Sequence, residues 1–356
     1  MTPVPLNLPL RPPEAAELAS LIFDLAERKP LTDEIRNRVA ARAVPLHLQS
    51  IAPYFGSLDR DPVHHSTYYM AVDVADSPPL LLHMALAAAP TSSIFHKPLL
   101  IGRMRRATGP EIVINAVPFG PVDTANIEKF AASIDHAFLP RPHGFHTALV
   151  ADASGEVFEA FRAVWKRARK NVACVSGPYH AAVWCAIRSG WREGYSAATE
   201  FRVTDEASFQ AAREAIRACP HYSRFVVAAA LPDVERLSVA IRQARSAAKA
   251  APAFDLGISL VDGNTPTEPQ ELAACLQTLK DAGHSAQLAA PRLERSRIAA
   301  LAAVARQFNC VLSVAAADHP EQDLKALARE TAGRFSCSLS GHDTRNIEDL
   351  AETLLA

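Results

Sequence analysis

The sequence predicts an α/β protein: a (β/α)8 TIM-like barrel over residues 108–356, preceded by an irregular, partly helical N-terminal region over residues 1–107. Three observations predict it. Short apolar runs recur from residue 110 onward, and most are apolar almost throughout. Strands of a parallel sheet covered on both faces read this way. A segment of helical periodicity follows each run, and parallel neighbours need such crossovers. The step from run to run is about 25–35 residues, the length of one βα unit.

In the N-terminal region, residues 14–28 and 32–44 read as helices. Thr32 is placed to cap the second, with Asp33 and Glu34 in its first turn. Residues 45–109 mix proline, histidine and short apolar runs, with strands expected at 67–74 and 98–103.

The later runs fall at 111–118, 146–151, 171–176, 195–200, 225–230, 254–261, 285–290, 310–316 and 334–339. That makes nine strands where the barrel needs eight, so either the first lies outside it or one assignment is wrong. Between them, Val157, Phe158, Phe161, Val164, Trp165 and Ala168 share one helical face. Val234, Leu237, Ile241, Ala244 and Ala248 share another, as do Leu272, Cys275, Leu276 and Leu279. Pro232 and Pro269 sit where a first helical turn tolerates proline. An open doubly wound sheet is the rival architecture. Against it, no Gly-x-Gly-x-x-Gly turn follows any strand, and no nucleotide is expected.

Composition narrows the function classes. Hydrophobic residues make up 49% and charged residues 21% of 356, ordinary values for a protein with a sizeable core. The net charge of −1 gives no cationic surface for nucleic acid. Arg167, Arg169 and Lys170 close an expected helix, where basic residues complement the helix dipole. None of the six cysteines forms a Cys-x-x-Cys pair, and several lie in apolar runs, as free thiols in a reducing compartment do. The Pro-rich Met1–Pro13 stretch does not read as a signal peptide. No stretch of about 18 apolar residues occurs, so no membrane span is expected. A cytoplasmic location follows as the expectation.

A barrel carries its chemistry at the carboxyl ends of its strands. Asn115 with Asp123, Asp152 with Glu156, and Ser176 with Tyr179 and His180 fall there, followed by Glu200 with Arg202, then Asp262, Asn264 and Thr265. Arg292 with Glu294, Asp318 with His319, and His342 with Asp343 complete the set. Glu200, Asp262, His319 and His342 are the types that bind a divalent cation or relay protons. Asp343 and Thr344 read as helix caps, and Thr267 with Gln270 as a capping box. The histidine-dense stretch with His136, His143 and His146 matches no metal-ligand spacing and reads as a loop.

One segment carries a family resemblance. Ser259-Leu-Val-Asp262-Gly-Asn264-Thr-Pro-Thr-Glu-Pro269, followed by Ala290-Pro-Arg292-Leu293, resembles the tagaturonate epimerase family. There an acidic strand end runs into Thr-Pro-Thr-x-Pro, with Ala-Pro-Arg-Phe further on. Leu312-Ser313-Val314-Ala315 stands where that family has Leu-Ser-Leu-His, so its histidine is Ala315 here. Its Asp-x-Asp-His after the fourth strand is met only by Glu200 followed by Phe201, and its last-strand His has no clear counterpart near Ser336.

The resemblance implies a metal-dependent barrel that interconverts C4 epimers of keto sugar acids. Its acidic position falls on Asp262 and its arginine on Arg292. The expectation is a divergent sugar-acid epimerase or isomerase acting on a small carbohydrate acid. Asp262, Glu200 and His342 would be catalytic, and Arg292, Asn264 and His180 would bind substrate. Asp262, Glu200 and His319 would hold a divalent metal, Zn, Mn or Fe. The alternative is a barrel that has lost catalysis and binds a carbohydrate acid or a protein partner. A Schiff-base aldolase is a third class, without a lysine at any strand end. The sequence does not fix the oligomeric state.

Overall fold

The computed structural model describes residues 12–27, 29–87, 95, 98–106, 109–142, 148–152, 157–158, 173–192, 194–229, 231–250, 254–259, 268–281, 288–289, 295–315, 320–331 and 335–338. The chain forms two compact units, residues 1–139 with 183–192, and residues 140–182 with 193–356.

The first unit is not irregular. Six strands, β1 (Ile51–Pro53), β2 (Asp59–Arg60), β3 (Thr67–Val74), β4 (Ser77–Leu86), β5 (Leu99–Met104) and β6 (Ile112–Pro118), build one antiparallel sheet. Its order is β1-β3-β4-β6-β5, with β2 also on β3. The expected strands at 67–74 and 98–103 are β3 and β5, while β4 had no sequence counterpart. The first of the nine runs is β6, and it pairs with β4 and β5. That accounts for the ninth strand, and it carries the first unit past the boundary expected at residue 107.

Two helices, Pro12–Ala26 and Asp33–Ala43, cover one face of this sheet. In the first, Ala15, Leu18, Ala19, Ile22, Phe23 and Ala26 form the buried stripe, spaced three and four residues apart. They meet Tyr68, Met70, Val72, Leu82, Met84 and Ile114 from alternate positions of β3, β4 and β6. Phe23 is fully buried and packs edge-on against Tyr68 at 4.9 Å. Truncating it, Phe23→Ala, is expected to cost about 3–5 kcal/mol in a denaturation series, because the fully buried ring would leave a cavity in the packed core. The second helix starts as expected, with Thr32 Oγ1 accepting from the Ile35 amide.

A buried charge network ties the edges of this unit. The Arg192 guanidinium donates to Asp135 Oδ2 at 2.7 Å, to Asp59 Oδ2 at 2.8 Å and to the Gly56 carbonyl at 2.8 Å. Arg36 donates to the Leu58 carbonyl at 2.8 Å and reaches Asp59 Oδ1 at 3.5 Å. Burial pushes the Asp59 carboxyl up to about 6, against the pull of Arg192, and Asp135 raises it further. Burial acts the same way on Asp135, but its hydrogen bond with Asp59, the Arg192 cation and the Ala137 amide outweigh it and hold that carboxyl below its usual value.

A carboxyl raised on folding binds its proton more tightly in the native state. Asp59 therefore contributes stability that is complete below the unfolded carboxylate range and is lost as pH rises through about 6. Asp59→Asn, which mimics the protonated form, is expected to flatten the fall in stability between about pH 4 and 7. A slope unchanged by the substitution would refute the assignment.

The second unit holds the expected parallel sheet. Its strands are β7 (Ala148–Asp152), β8 (Ala173–Ser176), β9 (Tyr195–Arg202), β10 (Arg224–Ala228), β11 (Asp255–Ser259), β12 (Leu288–Ala289), β13 (Val311–Ala315) and β14 (Phe335–Ser338). Helices Glu206–Ala218, Leu231–Ala247, Pro269–Asp281, Ile298–Gln307 and Glu321–Glu330 stand between successive strands from β9 to β14. Pro269 opens its helix, as its position in the sequence predicts. Helix Tyr179–Ser189 stands between β8 and β9, and the division between the two units falls inside it. The expected helix at 155–169 lies mostly outside the described residues.

The strand order is β11-β10-β9-β8-β7-β14-β13-β12, all parallel, so the last strand pairs with the first of this sheet. A closed barrel was expected. Among the described residues no ladder joins β11 to β12, although their backbones approach within 8 Å. With β12 described only at Leu288–Ala289, that pair has little length over which to form one. The sheet nonetheless curls. Val226 of β10 and Val311 of β13 pack together. Along the ladders these strands are five steps apart, about 24 Å in a flat sheet. Val150 of β7 likewise meets Ala198 of β9, across an intervening strand.

Candidate functional site

The concave face of the parallel sheet can be read residue by residue. Side chains alternate along a strand, and residues in register across a ladder share a face. Val226 lies on the inside, and its register partner in β9 is Glu200. Ala198, Glu200 and Arg202 therefore line the inside of β9, while Phe201 points out and stacks near Phe225 at 6.5 Å. On β14, Ser338 pairs with Val150 and Ser336 with Ser313 of β13, which puts three hydroxyl side chains on the same concave face. At the amino end Arg224, in register with Ala198, lies 3.9 Å from Asp255 and forms a charged floor.

Glu200 stands two residues beyond that floor, about 6–7 Å along the strand. Its side chain keeps access to solvent, yet neighbouring protein atoms crowd the carboxyl. That desolvation raises its pKa, and the Arg202 cation pulls it partly back. The result is a carboxyl held above its usual range and a guanidinium beside it, at the carboxyl end of a central strand. Around the pair, Ala228 registers with Arg202, Val226 registers with Glu200, and Ala198 precedes Glu200 on the same face.

The sequence-derived site meets this geometry at few points. Glu200 is where it was expected, at a strand's carboxyl end. His180 lies in the first turn of helix Tyr179–Ser189, its ring 5.4 Å from that of Tyr179. Tyr179 in turn packs on His221 and Tyr222, and the Tyr222 hydroxyl donates to the Gly177 carbonyl at 2.8 Å. His180 thus belongs to an aromatic group at the start of a helix, and no described contact brings it to Glu200. Asp262, Asn264, Arg292, His319 and His342 lie outside the described residues, as do Thr267, Asp343, Thr344, His143 and His146. Sequence reasoning placed Arg202 at a strand end without a role, and it passed over Ser313, Ser336 and Ser338. The period-two spacing of Glu200 and Arg202 was the available signal.

Among the described residues no group of three or more His, Cys, Asp or Glu is gathered as a metal-ligand set. Position 315, where the resembling family has histidine, is Ala315 at the end of β13. Among the residues whose side chains are described, the concave face carries Glu200 beside Arg202 at the carboxyl end and Asp255 beside Arg224 at the amino end, and one carboxylate at each end does not suit a dication. Among the described residues no helix is long and apolar enough to cross a membrane.

No protein-family model matches the chain, and no curated protein is recognisably similar in sequence. Solved structures are similar in fold. The native crystal structure of fructuronate-tagaturonate epimerase UxaE from Cohnella laeviribosi superimposes with a TM-score of 0.56 at 14% identity, over 85% of this chain and 74% of that one. A glycerol complex of the same enzyme gives 0.55 at 15% identity, over 87% and 74%. At this identity the likeness is one of fold.

Proposed function

We propose that the parallel sheet closes into a (β/α)8 barrel and that its carboxyl mouth epimerises or isomerises a small carbohydrate acid. The observation that carries this reading is the Glu200–Arg202 pair on the concave face, an acid raised by desolvation beside a cation. The fold likeness to an epimerase of keto sugar acids supports the substrate class by analogy only.

The chemistry suits such a pair. Epimerisation at a hydroxyl-bearing carbon β to a ketone can proceed by opening the bond between that carbon and the hydroxyl-bearing α carbon. The hydroxyl proton leaves to a base, the carbon becomes an aldehyde, and the bonding electrons pass into the enediolate. Re-addition to the other face of the aldehyde takes the proton back. The step is redox-neutral, and one carboxyl whose pKa desolvation raises can serve in both directions. Glu200 fills that role, with Ser313, Ser336 and Ser338 offering hydroxyls to the polyol.

The metal expected with Asp262, Glu200 and His319 remains part of the proposal, and no step is routed through it. Metal analysis of the purified chain tests it. One equivalent of Zn, Mn or Fe that falls in Glu200→Gln would support the ligand set, and trace amounts in the wild type would remove the metal. Ala315, in place of a histidine, favours the second reading, a barrel that binds the sugar acid without turning it over.

NMR of tagaturonate or fructuronate incubated with the full chain separates the two readings. The first expects the other epimer to appear, and expects Glu200→Gln to fold normally while slowing turnover by about 100-fold or more. Binding without turnover would favour the second.

A further inference from the structure

We propose that Arg202 is the carboxylate anchor of this site, the residue that makes it select a sugar acid over a neutral sugar. The inference rests on the reading of the concave face as a carbohydrate-acid site. The family resemblance implies this role for Arg292; the register of β9 points to Arg202.

Three observations carry it. The ladder between β9 and β10 pairs Arg202 with Ala228, and it continues beyond the strand, with the Val203 amide donating to the Ala228 carbonyl at 2.9 Å. The backbone at Arg202 is therefore fixed by the sheet, and its side chain leaves on the same face as Glu200. Next, among the described residues no hydrogen bond or ion pair engages its guanidinium. The other arginines near the start and end of these strands are held. Arg224 lies beside Asp255, and Arg245 donates to the carbonyls of Pro220 and Tyr222 at 2.7 and 2.6 Å. Finally, the residues around it are small: Ala228 opposite, and Ala198 and the Glu200 carboxyl below.

The chemistry fits a planar anion. A guanidinium presents two parallel N–H donors that match the two oxygens of a carboxylate, a geometry an ammonium cannot reproduce. An anchor at Arg202 would hold the acid end of a keto-hexuronate one register step above Glu200. The rest of the chain of hydroxyl-bearing carbons would then lie against Glu200 and the serines of β13 and β14.

Calorimetry with tagaturonate and with tagatose, which differ at the carboxylate, tests the proposal on the full chain. The wild type is expected to prefer the acid by about tenfold or more, the size of a lost charge-assisted pair of hydrogen bonds. Arg202→Gln should bring the two affinities together, and Arg202→Lys should keep a partial preference. Arg202 is exposed, so both variants should melt like the wild type. A preference that survives in Arg202→Gln overturns the proposal, and if turnover is intact the epimerase reading stands without it. Loss of the preference in a chain that never turns tagaturonate over supports the anchor and counts against catalysis. Failure of the wild type to bind either sugar overturns both.

Discussion

Replacing Arg192 with methionine should destabilise the first unit by about 3–5 kcal/mol, because it removes the one cation that two buried carboxyls share. Nε and Nη2 donate to Asp135 and Asp59, Nη1 donates to the Gly56 carbonyl, and the guanidinium lies over the Phe138 ring at 4.4 Å. Methionine can fill the volume, but it satisfies none of these acceptors. Asp59 and Asp135 would then face each other with Arg36 left to offset them, and of the two it reaches only Asp59, at 3.5 Å. Arg192→Lys keeps the charge but offers no fork that can span both carboxyls and a carbonyl, so an intermediate loss is expected. Chemical denaturation followed by tryptophan fluorescence measures this. Equal stability of Arg192→Met and the wild type would show the network to be decoration.

The second large effect is expected at Gly190. Its φ of +69° is one that side chains rarely adopt, and a Cβ there would lie 2.6 Å from the Gly56 Cα and 3.0 Å from the Gly56 carbonyl carbon. Both neighbours are backbone, so relief requires the loop carrying Gly56 to move. That loop also presents the carbonyl that Arg192 binds. Gly190→Ala should therefore cost about 2–5 kcal/mol, combining left-handed strain with a backbone clash. Gly56→Ala meets the same contact from the other side, at 2.7 Å from the Gly190 Cα, without the positive φ. It should cost less, and the difference between the two variants measures the strain alone.

The parallel sheet was legible because each of its strands is a short apolar run followed by a helical segment, and the structure places all eight within a few residues of where the sequence put them. The antiparallel sheet was less so. The sequence of Ile112–Pro118 is apolar at six of seven positions although its burial alternates over the first five, so it looks like one more parallel strand. β4 was hidden by Pro78 and Pro79, which the structure accommodates at the start of the strand, where the register with β3 shifts. At the site, Glu200 could be found because a carboxylate ending an apolar strand is conspicuous. Arg202 could not be given a role from spacing alone, since whether a strand-end arginine faces inward depends on register. The serines of β13 and β14 were unreadable for the same reason. Small polar residues in a strand signify nothing until their pairing partners are known.

The acid–base role of Glu200 can be measured without any substrate. A carbon-13 titration of the glutamate carboxyls, with Glu200 assigned by its loss in Glu200→Gln, should give a midpoint clearly above the ordinary glutamate value of about 4.3. It should rise further in Arg202→Gln, where the lowering cation is gone. A midpoint at or below the ordinary value, unmoved by Arg202→Gln, would place Glu200 in open solvent away from Arg202 and remove the basis for the proposed site.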